Sequence, residues 1–91
     1  MTLSRDEATK RAKTDAGNRT GVSEDAIKLV SVEDAEFPDA ALGAGVSGEM
    51  SGMMLTSGWR INLDAGGKSL EYRANPDQIR LYKFKGKNYR I

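Results

Sequence analysis

The stretch WRINLDAGGKSLEYRANPDQIRLYKFK, residues 59–85, specifies most of the predicted sheet, because apolar and polar residues alternate along three of its segments. Period-two alternation is typical of strands that bury one face. Two turn sequences separate the segments: Asp64-Ala-Gly-Gly-Lys68, whose glycines accept positive φ, and Asn75-Pro76-Asp77, whose proline presets φ. The stretch therefore predicts an antiparallel meander whose last strand spans residues 79–85. Its edge is expected to be protected by Lys83, Lys85 and Lys87.

Upstream of this stretch, residues 27–37 predict one more strand, and that strand is expected to bend. Ile27 and Leu29 share one parity, whereas Val30 and Val32 have the other. A regular strand does not switch faces, so the pattern predicts a bulge between positions 29 and 32.

The N-terminal segment predicts a helix over about residues 4–20. Ser4 and Glu7 have the spacing of a capping box, and Gly21 is placed as the C-terminal cap. An alanine stripe at four-residue spacing would face the sheet: Ala8, Ala12 and Ala16. The predicted architecture is a single α+β domain, residues 1–91, with an N-terminal helix packed on a four-stranded antiparallel sheet in two layers.

The composition argues against catalysis and against a bound cofactor. The 91 residues include no cysteine and no histidine, which removes thiol nucleophiles and the commonest general base. No histidine is present to activate the serines of the glycine-rich segment, Ser47, Ser51 and Ser57. We therefore expect no catalytic residues and no enzymatic activity.

No metal site is expected either. Four acidic residues cluster in sequence, but they lack the spacing of a calcium loop: Glu33, Asp34, Glu36 and Asp39. The thioethers of Met50, Met53 and Met54 are soft ligands of the kind that Cu(I) prefers, but no cysteine or histidine lies beside them in the sequence. We therefore expect these methionines to pack against other residues and not to bind a metal.

The charge is strongly polarised along the chain although the net charge is only +1. Residues 22–50 carry seven acidic side chains and one basic, whereas residues 79–91 carry five basic side chains and no acidic one. Charge runs usually keep a protein surface solvated, which is the simpler interpretation of this pattern. The more specific alternative is that the basic C-terminal segment forms an edge that binds an anionic partner. No apolar run is long enough to cross a membrane, and neither a signal peptide nor cysteine is present, so a cytoplasmic location is favoured.

The segment between the predicted strands, residues 38–58, is rich in glycine and methionine and is the favoured binding site. Methionine adapts to different partner surfaces, and glycine lets two backbones approach closely. We expect a protein or peptide to bind through residues 42–59, with contacts from Leu42, Val46, Met50, Met53, Met54 and Trp59. Two alternatives stay open: Met53, Met54 and Leu55 begin another strand or plug the core, or the segment or an open edge strand forms a homodimer.

Single-stranded nucleic acid is the alternative partner. The C-terminal stretch RLYKFKGKNYR interleaves aromatic and basic side chains, a composition typical of base stacking with phosphate contacts. Its candidate residues are Arg80, Tyr82, Lys83, Phe84, Lys85, Lys87, Tyr89 and Arg90. The nearly neutral net charge makes this partner less favoured than a protein.

Three blocks of this chain, FPDAALGA, SGEMS and SGWRI, resemble a pattern of the form WPDxSLGC, PGMMY and PGYRI. That pattern belongs to an uncharacterised family of small bacterial domains that are often secreted or carried by lipoproteins. The upstream GVSEDAIKLVSVEDAE and the later DAGGKSLEYR also resemble this family, so the likeness covers about residues 12–75. The order of elements, one helix followed by strands, is similar to that of PepSY-type and cystatin-like modules. That resemblance implies a binding or inhibitory role.

This chain departs from the family pattern at two positions. Ala44 stands where the family has cysteine, and Arg73 stands where a histidine often follows the tyrosine. If the family cysteine forms a disulfide in relatives, this chain has lost it, which fits a reducing compartment.

Overall fold

The computed structural model describes residues 2–50 and 52–91. A helix, α1, spans Arg5–Thr20, and a 3₁₀ turn at Glu24–Ala26 leads into five strands. The strands are β1 (Ile27–Phe37), β2 (Thr56–Ala65), β3 (Lys68–Asn75), β4 (Gln78–Phe84) and β5 (Lys87–Arg90). Each strand pairs antiparallel with the next along the chain, so the sheet order is β1-β2-β3-β4-β5.

The prediction of four strands was wrong by one, because β5 returns beside β4. The turn before β5 is tight: Lys85 has φ 53° and Gly86 has φ 81°. The lysines assigned to a protected edge therefore flank a hairpin, and the edges of the sheet are β1 and β5. The α+β class and the helix packed on an antiparallel sheet are confirmed.

One face of the sheet packs against α1 and forms the main core. The capping box is present, since the Glu7 amide donates to Ser4 Oγ and the Ser4 amide donates to Glu7 Oε1. The alanine stripe is fully buried, which allows the helix to approach the sheet closely. Beneath it lie the alternating apolar residues of the three central strands, including Ile61, Leu63, Leu70, Tyr72, Ile79 and Leu81. The buried Tyr72 hydroxyl donates to Asp15 Oδ2 at 2.7 Å.

The predicted bend in β1 is confirmed as a shift in register. Leu29 pairs with Leu63, whereas Ser31 pairs with Asn62, so one extra residue is accommodated between them. The shift explains why the apolar parity changes along this strand. After the shift, Val32 pairs with Ile61 and packs against the main core.

The other face of the sheet carries a second, smaller cluster of buried apolar residues that is separate from the main core. Its members are Phe37 from the end of β1 and three residues of the loop that follows, Ala41, Leu42 and Ala44. The first part of the loop, residues 38–49, thus folds back over the sheet on the side away from α1. Within the described residues, no helix has both the length and the apolar character needed to span a bilayer.

Candidate functional site: the β1–β2 loop and the cleft beside it

The first half of the β1–β2 loop, residues 38–49, is a folded base. The Asp39 carboxylate accepts hydrogen bonds from the amides of Ala41 and Gly43 at 2.9 and 3.0 Å. Leu42 and Gly43 both have positive φ, 60° and 67°, which reverses the chain and directs the Leu42 side chain into the second cluster. Left-handed backbone is costly for leucine, so complete burial of the side chain offsets that cost.

Side chains from the sheet hold the backbone of this base. Arg73 Nη1 donates to the Leu42 carbonyl at 3.1 Å, and Gln78 Nε2 donates to the Ala40 carbonyl at 2.6 Å. Farther along, Asn88 Nδ2 donates to the Gly45 carbonyl at 2.8 Å. Because three strands contribute these donors, the base is anchored to β3, β4 and β5.

A bidentate ion pair closes the base. Arg80 Nη1 and Nη2 contact the two carboxylate oxygens of Glu49 at 2.6 and 2.7 Å, and the side chains are only 6% and 16% exposed. Glu49 also accepts from the Val46 amide at 3.2 Å. The hydrogen bond from Arg80 is the main cause that lowers the pKa of Glu49 from 4.5 to about 2, against the opposing effect of burial.

The second half of the loop is an exposed apolar tip, defined as Met50 together with residues 52–55. Met50 is 97% exposed, Met53 90%, Leu55 76% and Met54 60%. Strand β2 begins only at Thr56, so these methionines neither start a strand nor plug the core. Ser51 lies outside the described residues.

The predicted protein-binding residues are thus divided between the two halves. Leu42 is fully buried, and Val46 and Trp59 are half-buried. Met50, Met53 and Met54 are exposed at the tip. Leu42 therefore supports the base and does not reach a partner, whereas the methionines are accessible.

A cleft of about 520 Å³ lies beside the tip, where β2 begins. Its lining joins the end of β1, the start of β2 and the β3–β4 turn: Asp34, Ala35, Glu36, Ser57, Gly58, Trp59 and Pro76. In the antiparallel register Asp34 is opposite Trp59 and Glu36 is opposite Ser57, so these four side chains share one face.

The sequence alone did not assign Asp34 and Glu36 to a cleft with Trp59. Their i, i+2 spacing on a strand places both on one face, but their register against β2 was needed to bring them to Trp59. The four acidic residues that cluster in sequence do not form one site, because the Asp39 carboxylate accepts hydrogen bonds within the loop base. The described residues contain no group of three or more carboxylate, histidine or cysteine side chains placed to hold a metal ion.

The basic C-terminal residues are only partly available. Arg80 is buried against Glu49, and the Arg73 guanidinium lies 3.6 Å from the ring centroid of Tyr82. Phe84 and Tyr89 contact each other edge to face. A groove of about 330 Å³ remains, and it is lined by Lys68, Ser69, Leu70, Tyr82, Lys83, Phe84 and Lys85. Lys87 and Arg90 are exposed on β5, outside this groove.

A family model described as a domain of unknown function, DUF8738, matches residues 9–82. This range includes most of α1, the whole β1–β2 loop and the strands β1 to β3, together with most of β4. No curated protein and no solved structure matches the chain.

Proposed function

The chain belongs to the DUF8738 family, whose description assigns no function, and we propose that the domain is a non-enzymatic module that binds a protein or peptide through residues 42–59. A binding or inhibitory role is also what the likeness to PepSY-type and cystatin-like modules implies, and that likeness is part of the proposal.

The exposed apolar tip is the observation that supports this proposal. Large apolar side chains are exposed at two places in the described residues, and four of them lie within the tip. Desolvating such side chains is favourable by roughly 25 cal/mol per Å² of apolar surface removed from water. Methionine also fits irregular partner surfaces, because its side chain is unbranched and polarizable.

The base of the loop makes the tip better suited to binding. Ordering a loop on binding costs about 1–2 kcal/mol per residue in backbone entropy. Here the Asp39 turn, the Glu49–Arg80 pair and the donors from the sheet already fix the residues that precede the tip. The entropy cost of binding is then confined mainly to the exposed side chains of the tip.

The charge near the tip supports one kind of partner. The last part of β1 pairs with the start of β2, into which the tip leads, and its acidic residues Glu33, Asp34 and Glu36 are all exposed. Complementary charge favours the correct partner and accelerates encounter. The partner that fits is a protein surface or peptide with an apolar groove and a basic rim.

A binding comparison with matched variants tests the proposal. The variant Met50→Ser, Met53→Ser, Met54→Ser removes the apolar character of the tip, and the control Leu29→Ser, Val30→Ser changes the other exposed apolar pair on β1. Partners captured by the intact domain are purified and titrated against each variant. We expect the tip variant to weaken binding at least about tenfold, because three apolar contacts are lost, and the control to retain it.

The same titrations distinguish a protein or peptide partner from a second copy of this chain. Methyl signals of methionine in the labelled domain should shift when the purified partner is added, and addition of salt should weaken the complex. Equal binding by the tip variant and the intact domain contradicts the proposal. Concentration-dependent self-association that the tip variant abolishes would replace the partner by a second copy of this chain.

Single-stranded nucleic acid is the second candidate, and the groove beside β4 favours it. Three lysines and two aromatic residues line this groove: Lys68, Lys83, Lys85, Tyr82 and Phe84. The ammonium groups of Lys83 and Lys85 already lie 5.3 and 5.5 Å from the adjacent ring centroids, so stacking by a base would have to displace them. Fluorescence anisotropy of a labelled oligonucleotide tests this candidate, and binding that survives the tip variant would favour nucleic acid over protein.

A further inference from the structure

We propose that the cleft beside the tip binds the cationic side chain of a lysine or arginine in the partner. This inference rests on the proposed protein- or peptide-binding function and specifies one chemical feature of the partner. The cleft is defined by Asp34, Glu36, Ser57, Trp59 and Pro76, with the backbone of Ala35 and Gly58 between the strands.

The register of β1 and β2 places two carboxylates of β1 on the same face of the sheet as the indole of Trp59. Asp34 is directly opposite Trp59, and Glu36 is directly opposite Ser57. Opposite residues in an antiparallel pair have Cβ atoms about 4.5–5.5 Å apart and diagonal neighbours lie farther apart, so Asp34 is the carboxylate next to the indole and Glu36 is the more distant one. A cation attracted to the face of a tryptophan ring gains further from nearby carboxylates.

Trp59 is suited to be the apolar wall of such a site. The side chain is half-buried and packs against the main core, so its position is fixed by the residues beneath it. Pro76 also lines the cleft, and this turn is tied to the N-terminal segment because the Leu3 amide donates to the Pro76 carbonyl at 2.8 Å. The volume of about 520 Å³ exceeds that needed for one extended lysine or arginine side chain.

Neither carboxylate has a cationic partner within residues 2–50 and 52–91. The ion pairs formed by the described residues involve Asp15, Glu49 and Glu71, and none involves Asp34 or Glu36. Arg5 of α1 donates to the Val32 carbonyl of β1, and Arg60 is opposite Glu33 on the other face of the sheet. The two carboxylates beyond Val32 are left to face the cleft.

The cleft also lies in the right place for a partner that binds the tip. Residues 52–55 lead directly into Thr56 and Ser57, so the tip joins the strand end that lines the cleft, although the folded base of the loop covers the opposite face of the sheet. Pairing of two β1 edges would bring the acidic residues of two copies together, which destabilises a sheet. A basic, partly apolar partner avoids this repulsion and fills both features.

Tryptophan emission provides a direct test, because Trp59 is the single tryptophan in the chain. The probe is N-acetyl-arginine amide, and its neutral match is N-acetyl-citrulline amide, titrated at constant ionic strength. We expect a saturable change in Trp59 emission with the arginine probe and none with citrulline. The double variant Asp34→Asn, Glu36→Gln should bind the arginine probe about fivefold more weakly, as two exposed ion pairs are lost. The control Glu33→Gln lies on the opposite face and should bind as the intact domain does.

The cation site is overturned if citrulline titrates like arginine, if the emission change does not saturate, or if the double variant retains full affinity. Amide chemical shifts of Ser57 and Gly58 provide a second readout that does not depend on the indole. The tip variant with three Met→Ser changes should leave the Trp59 titration unchanged. If the tip variant loses partner binding but the arginine probe does not change Trp59 emission, the cation site alone is rejected. If the arginine probe does change Trp59 emission but no partner depends on the tip, the proposed function is rejected.

Discussion

Replacing Gly58 with alanine is expected to lower the free energy of unfolding by about 3 kcal/mol or more. A Cβ atom at this position would overlap the carbonyl oxygen of Ala74 and would lie 3.1 Å from its carbonyl carbon. Both are backbone atoms of the neighbouring strand β3, so the strand pairing itself would have to shift. Urea or thermal unfolding followed by circular dichroism measures the loss.

A matched glycine separates this clash from the general effect of adding a methyl group. At Gly45 the nearest atom to an added Cβ is Glu49 Oε1, 3.9 Å away, which is ordinary contact. We expect Gly45→Ala to change stability by less than about 0.5 kcal/mol. Equal stability of Gly58→Ala and Gly45→Ala would contradict the close approach of β2 to Ala74.

Replacing Glu49 with glutamine is expected to lower the free energy of unfolding by about 2–4 kcal/mol at neutral pH. The change leaves the Arg80 guanidinium, which is only 6% exposed, without its bidentate carboxylate. An unpaired buried charge costs more than the pair contributes, so the loop base should loosen along with the loss of global stability. Chemical denaturation measures the change, and the exposed Glu36→Gln provides a control expected within about 0.5 kcal/mol.

The contribution of Glu49 to the free energy of unfolding should decrease as the pH falls. The pKa of Glu49 is lowered from 4.5 to about 2 in the folded protein, so acid protonates the unfolded chain first. The stabilisation is therefore complete above about pH 5.5 and is lost as the pH falls from about 4.5 towards 2. The difference between the unmodified chain and Glu49→Gln should narrow over this window. A difference that stays constant from about pH 6 to about pH 3 would contradict the ion pair.

Elements specified by local sequence could be predicted, because their signals lie within a few residues. The capping box at Ser4, the turn at residues 64–68 and the bend in β1 all appear where the sequence indicates. Hairpins and caps depend on neighbours in the chain, and no distant contact is needed to specify them.

The remaining features depend on contacts between distant residues. The fifth strand has only four residues, and its turn uses Lys85 in a position where asparagine, aspartate or glycine is usual. The division of the β1–β2 loop could not be predicted either, because it depends on donors from Arg73, Gln78 and Arg80 far along the chain. The cleft at Trp59 similarly required the register of β1 against β2.

The proposed role of the β1–β2 loop requires a fixed base and an apolar tip that is free to bind a partner. Amide hydrogen exchange, measured residue by residue on the unbound domain, compares the two halves of the loop in one experiment. We expect the amides of Leu42, Gly43 and Ala44 to exchange at least about 100-fold more slowly than those of Met53 and Leu55. Equal exchange rates in the base and the tip would contradict this division of the loop.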